Sequence, residues 1–305
     1  MITLLQIFCF GLLISALACT AVYSQDTSSI PVTRTDSLLL GQQTESTFSW
    51  HSMVTDVPHD LGQAGGFSFS LRNAPVLLGL GGITAALVVS DHKTYAGARH
   101  AYERSPFVHS ASDLFIGLGD GRSQLILAGA FAAYGIAASD HRALRTGSQV
   151  VEAVLACGLT VQLLKHIAGR ESPLAASSPS GRWRPFPSFK EYHSHQTKYF
   201  AFPSGHIATA MATATVLAEN YPEVRWVRPV GYGVVSLIGL SLVNRSYHWY
   251  SDLPLGMAVG YLFGQIVSTS GEPPVEGCSE PQPSTLRITP LVFENGGCVT
   301  VVVIL

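Results

Sequence analysis

Three short clusters hold most of the residues able to do chemistry. Lys165, His166, Gly169, Arg170, Ser172 and Pro173 form the first, Pro203-Ser204-Gly205-His206 the second, and Arg245, His248 and Asp252 the third. Together they suit the handling of a phosphoryl group. Lys165, Arg170 and Arg245 bring the positive charge that phosphate oxygens and their transition state need. Ser204 beside Gly205 reads as a helix start, whose free N–H groups and dipole favour an anion. His206 and His248 can divide nucleophilic attack and proton donation between them. Asp252 follows His248 by four residues; on a helix the two share a face, and the carboxylate can hold the far nitrogen of the imidazole. Each residue also has an ordinary use. Ser-Gly-His begins many helices, and Lys165 with Arg170 suits any helix C-terminus. A zinc site on His206, His248 and Asp252 is the rival reading, weakened by the lack of Cys ligands and of a His-Glu-x-x-His run.

All three clusters fall at the ends of apolar segments. Six such segments are expected, Ala74–Val89, Gln124–Ala138, Val150–Leu164, Ile207–Ala218, Trp226–Val243 and Leu253–Val267. Each is short of the ~20 residues of a full membrane span, so they read as short spans or as the buried helices of a bundle. Polar, Gly- or Pro-bearing loops over Asp91–Arg122, Asp140–Gly147, Gly169–Pro203 and Asn220–Val224 divide them, with a turn at Asp120-Gly121. In an up-down bundle the end of the third segment, the start of the fourth and the end of the fifth share one face. The fold class is therefore all-α, a six-helix membrane-associated bundle over residues 74–269.

The flanks read differently. Ile2–Tyr23 is an apolar run before a polar one, so residues 1–24 are a secretory signal peptide or an uncleaved anchor. The n-region has no Lys or Arg, and a lipoprotein-type cut before Cys19 is a weaker option. Residues 25–73 are a polar, Ser/Thr-rich leader without a sustained period. Residues 270–305 are a Pro-rich linker and a β-hairpin tail, Leu286–Phe293 and Cys298–Leu305, turning at Asn295-Gly296. Cys278 and Cys298 are either a disulfide pair in an oxidising compartment or two free thiols.

Composition agrees with a membrane setting. Only 12% of the 305 residues are charged and 47% are hydrophobic, against ~25% charged in a soluble domain. Mean hydropathy is +0.28, and 29 glycines permit close helix packing in lipid. These values exclude disorder, a coiled coil and, with a net charge of −2, a nucleic-acid partner.

Lys165…Pro173, Phe202-Pro203-Ser204-Gly205-His206 and Ser241…His248-Trp249-Tyr250-Ser251-Asp252 resemble the three signature motifs of the type 2 phosphatidic acid phosphatase family. That family shares its fold with vanadium haloperoxidases and class A acid phosphatases. The resemblance covers roughly Ala74 to Val267. It implies metal-independent hydrolysis of a phosphomonoester or pyrophosphate through a phosphohistidine, with no cofactor. His248 would be the nucleophile, Asp252 its orienting partner and His206 the acid for the leaving group; Lys165, Ser204 and the Gly205 amide would hold phosphate oxygens. Two positions depart from the pattern. Ser172 and Leu242 stand where the family carries phosphate-binding arginines. Arg170 and Arg245 are the expected replacements, with Arg182 and Arg184 as further candidates.

A lipid-phosphate phosphatase of the bacterial cell envelope is thus the leading expectation, its partners a phosphorylated lipid and the membrane, its site facing the periplasm. A soluble periplasmic acid phosphatase and a non-catalytic membrane protein of the same fold are the alternatives. Weakest is vanadate-dependent halide oxidation. The composition predicts that high-salt or alkaline washing leaves the protein in the membrane fraction and that detergent releases it; quantitative release without detergent would contradict the membrane assignment.

Overall fold

The computed structural model describes residues 51–270, together with the backbone of 287–291 and 298–302. The signal or anchor segment, most of the leader, the Pro-rich linker and the Cys278–Cys298 question lie outside the described residues. In the tail, two five-residue strands, β1 (Arg287–Leu291) and β2 (Cys298–Val302), pair antiparallel with Arg287 opposite Val302.

Residues 51–270 form one compact unit, which is helical. A single turn at Ser52–Thr55 leads into α1 (Val57–Phe69), followed by α2 (Ala74–Arg104), α3 (Pro106–Gly119), α4 (Gly121–Ala138) and α5 (His141–Ala168). After a long irregular segment holding the short α6 (Phe189–Ser194) come α7 (Gly205–Asn220), α8 (Val227–Asn244) and α9 (Leu253–Thr269). Each boundary has a local cause. Ser105 and Asp120 cap α3 and α4 by accepting from the Val108 and Arg122 amides, and Asp140 does the same for Ala143 at the start of α5. Gly169 ends α5 with φ +54, and a Cβ there would run into the Arg184 carbonyl.

Two expectations change. The stretch Asp91–Arg122, read as a loop, is largely helical: α2 continues to Arg104 and α3 follows at once. Charged residues at 91–104 are no obstacle to a helix, because Asp91 and Tyr102 point into the protein while their neighbours face out. The break comes instead at Ser105-Pro106, a cap followed by a proline. Residues 57–69, read as part of a polar leader, form α1, whose Val57, Asp60 and Ala64 are buried. The composition of that segment is polar, and its inner face buries Asp60 between Val57 and Ala64.

At the centre is α7, packed between α5, α8 and α9. Against it α9 presents Gly256, Gly260 and Gly264, one small residue per helical turn. A Cβ on Gly256 would meet the Ser204 carbonyl at 2.7 Å, one on Gly260 the Ala208 carbonyl and Met211, and one on Gly264 the Thr215 side chain at 2.5 Å. The two backbones lie in contact, the arrangement small residues permit where lipid offers no hydrophobic drive. Arg142 ties the opposite end, donating to the Asn220 carbonyl and pairing with Glu223 at 2.8 Å.

Among the described residues, Leu71–Arg104, His141–Ala168 and Val227–Asn244 are long and apolar enough to cross a membrane. Val76, Leu78, Val89, Ile126, Ile136 and Leu163 are exposed. Such outward apolar faces fit a lipid surrounding and support a membrane location.

The glycine contact yields a stability test. Gly260→Val should destabilise the detergent-solubilised protein by about 1–3 kcal/mol through overpacking, seen as a lowered unfolding midpoint. Gly233→Ala on α8, where a Cβ meets nothing within 4 Å, should leave the midpoint unchanged or raise it.

Candidate active site

The site begins with His248. Its Nδ1 lies 2.8 Å from the Ala201 carbonyl. A carbonyl only accepts, so Nδ1 carries a hydrogen, and in the neutral ring Nε2 presents its lone pair. Nε2 is buried and has no partner in the protein. That is the state a nucleophilic imidazole needs. His248 sits just before a 3₁₀ turn, Tyr250–Asp252, that leads into α9, rather than on a regular helix. Asp252 nevertheless reaches it: Oδ2 lies 3.5 Å from Nδ1 while accepting from the Trp249 amide at 2.7 Å. The Ala201 carbonyl is the closer partner, and the carboxylate stands behind it.

Around His248 several of the other predicted residues gather. The His206 ring centroid is 6.5 Å away and that of Phe200 6.0 Å. Lys165, on the last turn of α5, brings its ammonium 5.3 Å from the Phe200 ring centroid and 3.5 Å from where a Cβ on Gly205 would be. Ser204 occupies the N-cap of α7, yet its hydroxyl caps nothing: it is fully buried and unpartnered, while its amide donates to the Asp252 carbonyl at 3.0 Å. Buried polar atoms without partners are uncommon in folded proteins. Here Ser204 Oγ, Ser172 Oγ, Arg170 Nε and His248 Nε2 are all of that kind. They belong to segments tied directly to one another.

The two replacement arginines are placed otherwise than the sequence suggests. Arg170 is brought to the site, but its guanidinium is fully buried and committed. One terminal nitrogen donates to Asp252 Oδ1 at 2.5 Å and to Ser251 Oγ at 2.6 Å; the other donates to Asp91 Oδ2 at 2.7 Å and to the Ser180 carbonyl at 2.8 Å. Trp183 and Trp249 lie against it. Arg245 is not brought to His248. It caps α8 and turns to Tyr102, 2.7 Å, and Asp113, 3.3 Å, with a third of its side chain exposed. Of the further candidates, Arg184 pairs with Glu171 at 2.8 Å and Arg182 is exposed, its backbone amide donating to the same carboxylate.

Sequence reasoning missed Asp91, the buried Ser172 hydroxyl and the Ala201 carbonyl. Asp91 had a signal: Asp91, Tyr95, Arg99 and Tyr102 recur at helical spacing, and all four meet the segment around His248. Asp91 binds Ser251, Tyr95 binds Ser246, Arg99 binds the Asn244 carbonyl and Tyr102 binds Arg245. Ser172 and Ala201 are placed by the loop itself. The Arg170 backbone bridges Trp183 on one side and Phe200 on the other, and the Ala201 amide donates to the Arg170 carbonyl at 3.1 Å.

His206 is outside the three candidate spans and its titration is informative. Burial, then the neighbouring His248 and the Lys165 ammonium, push its pKa down to about 4. It is neutral at pH 7 unless an anion arrives to raise it.

The comparisons agree with the motifs. The PAP2 superfamily pattern matches residues 147–272, a stretch containing all three clusters. The lipid A 1-phosphatase of Porphyromonas gingivalis is 39% identical over 80 residues, 26% of this chain and 18% of that protein. The match thus spans under a fifth of that relative's length. A solved transmembrane PAP2 type phosphatidylglycerolphosphate phosphatase from Bacillus subtilis aligns over 71% of this chain and 94% of its own, at 18% identity and a TM-score of 0.39, a likeness too distant to bear on the site. The family-model match falls on the same residues as the motifs that carry the resemblance.

The depressed His206 titration gives a prediction. Unfolded, the ring binds its proton near 6.5, and folded only near 4. Acidification through that window therefore favours the unfolded state, and stability present above it is lost as pH falls. Lys165→Met should raise the His206 midpoint measured by histidine NMR, because a positive neighbour is removed. An unchanged or lower midpoint would place Lys165 away from His206.

Proposed function

We propose that this protein is a metal-independent lipid-phosphate phosphatase working through a phosphohistidine on His248. The observation that carries the reading is the buried, unpartnered Nε2 of His248, its other nitrogen fixed by the Ala201 carbonyl. His206 faces it across a ring-centroid gap of 6.5 Å. A phosphorus atom held in that gap has an attacking nitrogen on one side and a proton donor on the other, the in-line arrangement phosphoryl transfer requires.

In this reading Nε2 attacks phosphorus while the leaving oxygen takes a proton from His206. The incoming anion raises the pKa of His206, so the ring is charged by the substrate it serves. Asp252 offsets the positive charge on the phosphorylated imidazole. A water, deprotonated by His206, then attacks phosphorus and the Nε2–P bond breaks, freeing phosphate. Lys165, the Ser204 and Ser172 hydroxyls, and the first amides of α7 at Gly205 hold the phosphoryl oxygens. Arg170 and Arg245, expected to stand in for the family's arginines, take other parts: Arg170 acts from behind Asp252, and Arg245 fastens α8 to Tyr102 and Asp113.

The substrate class is supported by the three candidate spans, by a site at the end of one of them, and by a relative named for lipid A. These features favour a phosphorylated amphiphile over the small soluble esters of a periplasmic acid phosphatase. The reading includes a six-helix membrane core made of α2, α4, α5, α7, α8 and α9, a signal or anchor at residues 1–24, a tail beyond 270 folded as a hairpin, and a cell-envelope location with the site facing the periplasm.

Phosphate release from detergent-dispersed lipid phosphates tests it. Activity should persist in EDTA and be blocked by vanadate. His248→Ala should abolish phosphoenzyme, and Lys165→Met should cost ~10²-fold or more. His206→Ala should slow turnover by about 10²–10⁴-fold, most for substrates with poor leaving groups. Activity surviving in His248→Ala, or lost to EDTA and restored by magnesium, would refute the mechanism.

A further inference from the structure

Asp91 takes no part in the chemistry proposed above and Arg170 only stands behind Asp252, yet both are completely buried. Asp91 lies just beyond the apolar half of α2. One of its oxygens accepts from the Ser251 amide at 3.2 Å, and the other from Ser251 Oγ at 2.5 Å and Arg170 at 2.7 Å. Arg170 bridges from there to Asp252, whose second oxygen faces His248 Nδ1. A continuous chain of charged groups thus runs from α2 to the imidazole: Asp91, Arg170, Asp252, His248.

Two features say that this chain sets reactivity as well as holding the fold together. Arg170 divides its fork between two carboxylates, so Asp91 limits how strongly Arg170 draws Asp252 away from His248. Asp252 is also 3.5 Å from Nδ1, beyond a good hydrogen bond. A small shift of that carboxylate changes how well it supports positive charge on the ring. Resting on the reading of His248 as nucleophile, we infer that Asp91 and Arg170 are positioning residues, through which helix α2 fixes Asp252 and thereby tunes the phosphorylation of His248.

Within this arrangement, phosphorylation forms a bond from Nε2 to phosphorus while the bond to the leaving group breaks, and the ring gains positive charge. Asp252 answers that charge from the Nδ1 side. With Asp91 neutralised, Arg170 turns wholly to Asp252 and lowers the negative potential at the ring. The phosphorylated state loses support, and kcat falls rather than substrate affinity. Arg170→Lys keeps the charge but cannot fork to two carboxylates, so it has the same consequence by another route.

The test is a double-mutant cycle read on His248 itself, in the full chain in detergent. Phosphoramidate serves as donor: Nε2 attacks its phosphorus, the P–N bond breaks and ammonia leaves, with no lipid substrate involved. Labelling of His248 is followed by mass spectrometry. Asp91→Asn and Arg170→Lys should each slow labelling by about tenfold in the wild-type background, the size typical of an outer-layer partner. Each should add nothing in the Asp252→Asn background. Thermal unfolding is measured in parallel, since a purely structural role lowers the unfolding midpoint and slows labelling by the same factor in both backgrounds. Equal factors in both backgrounds, no slowing in a folded variant, or no label on wild-type His248 would each overturn the inference. Lipid-phosphate turnover, assayed separately, decides the substrate class: His248 labelled normally without any lipid turnover sinks the proposed function and leaves the positioning role standing.

Discussion

An arginine with no exposed surface cannot stand alone in a low-dielectric interior; its charge must be met by carboxylates held at bonding distance. Arg170 meets that demand with two, Asp91 from α2 and Asp252 from the turn before α9. Those carboxylates are far apart in sequence, and the guanidinium makes them neighbours. Around it the irregular segment 169–203 acquires its order: the Arg170 backbone bridges to Trp183 and Phe200, and Trp183 and Trp249 enclose the guanidinium. The Ala201 carbonyl that fixes the His248 tautomer is bonded to the same stretch through its own amide. One electrostatic requirement thus settles both the long loop and the orientation of the imidazole.

The helices supply the second half of the geometry. Because Gly256, Gly260 and Gly264 let α9 lie directly on α7, the start of one helix is pinned to the start of the other, and the Ser204 amide bonds the Asp252 carbonyl. Ser204 and His206 therefore keep a fixed relation to Asp252 and His248. A capping serine whose hydroxyl caps nothing is the visible result. Its helix start is held by tertiary contacts instead, which leaves the oxygen for something other than the helix.

Much of this was legible in the sequence. The apolar runs located α4, α5, α7, α8 and α9, since small and branched apolar residues recur along them even where α5 also buries Thr146, Gln149 and Glu152. Lys165, Ser204, His206, His248 and Asp252 were legible because their types and order follow a motif. The polar half of α2 was not: Asp91, His92 and Lys93 end an apolar run, and polarity alone does not separate a loop from a helix whose inner face binds polar groups. The fates of Arg170 and Arg245 were illegible for another reason. Spacing shows where a long side chain starts, whereas its destination depends on which carboxylates the fold brings near, and Asp91 and Asp113 were both assigned to a loop. Ser172 looked like a loss of charge; the structure shows its hydroxyl buried and without a partner, which no spacing could foretell.

The separation between Asp91 and Arg170 has a consequence for how the chain is made. The two residues are 79 positions apart, and Ser251, the other partner of Asp91, is 160 away. Synthesis proceeds from the N-terminus, so α2 leaves the ribosome carrying a carboxylate whose partners have not yet been translated. An unpaired carboxylate resists entry into lipid. In the proposed membrane core the nascent helix must then keep Asp91 at the membrane surface until the end of α5 arrives, and its final seating waits for the last helix of the bundle.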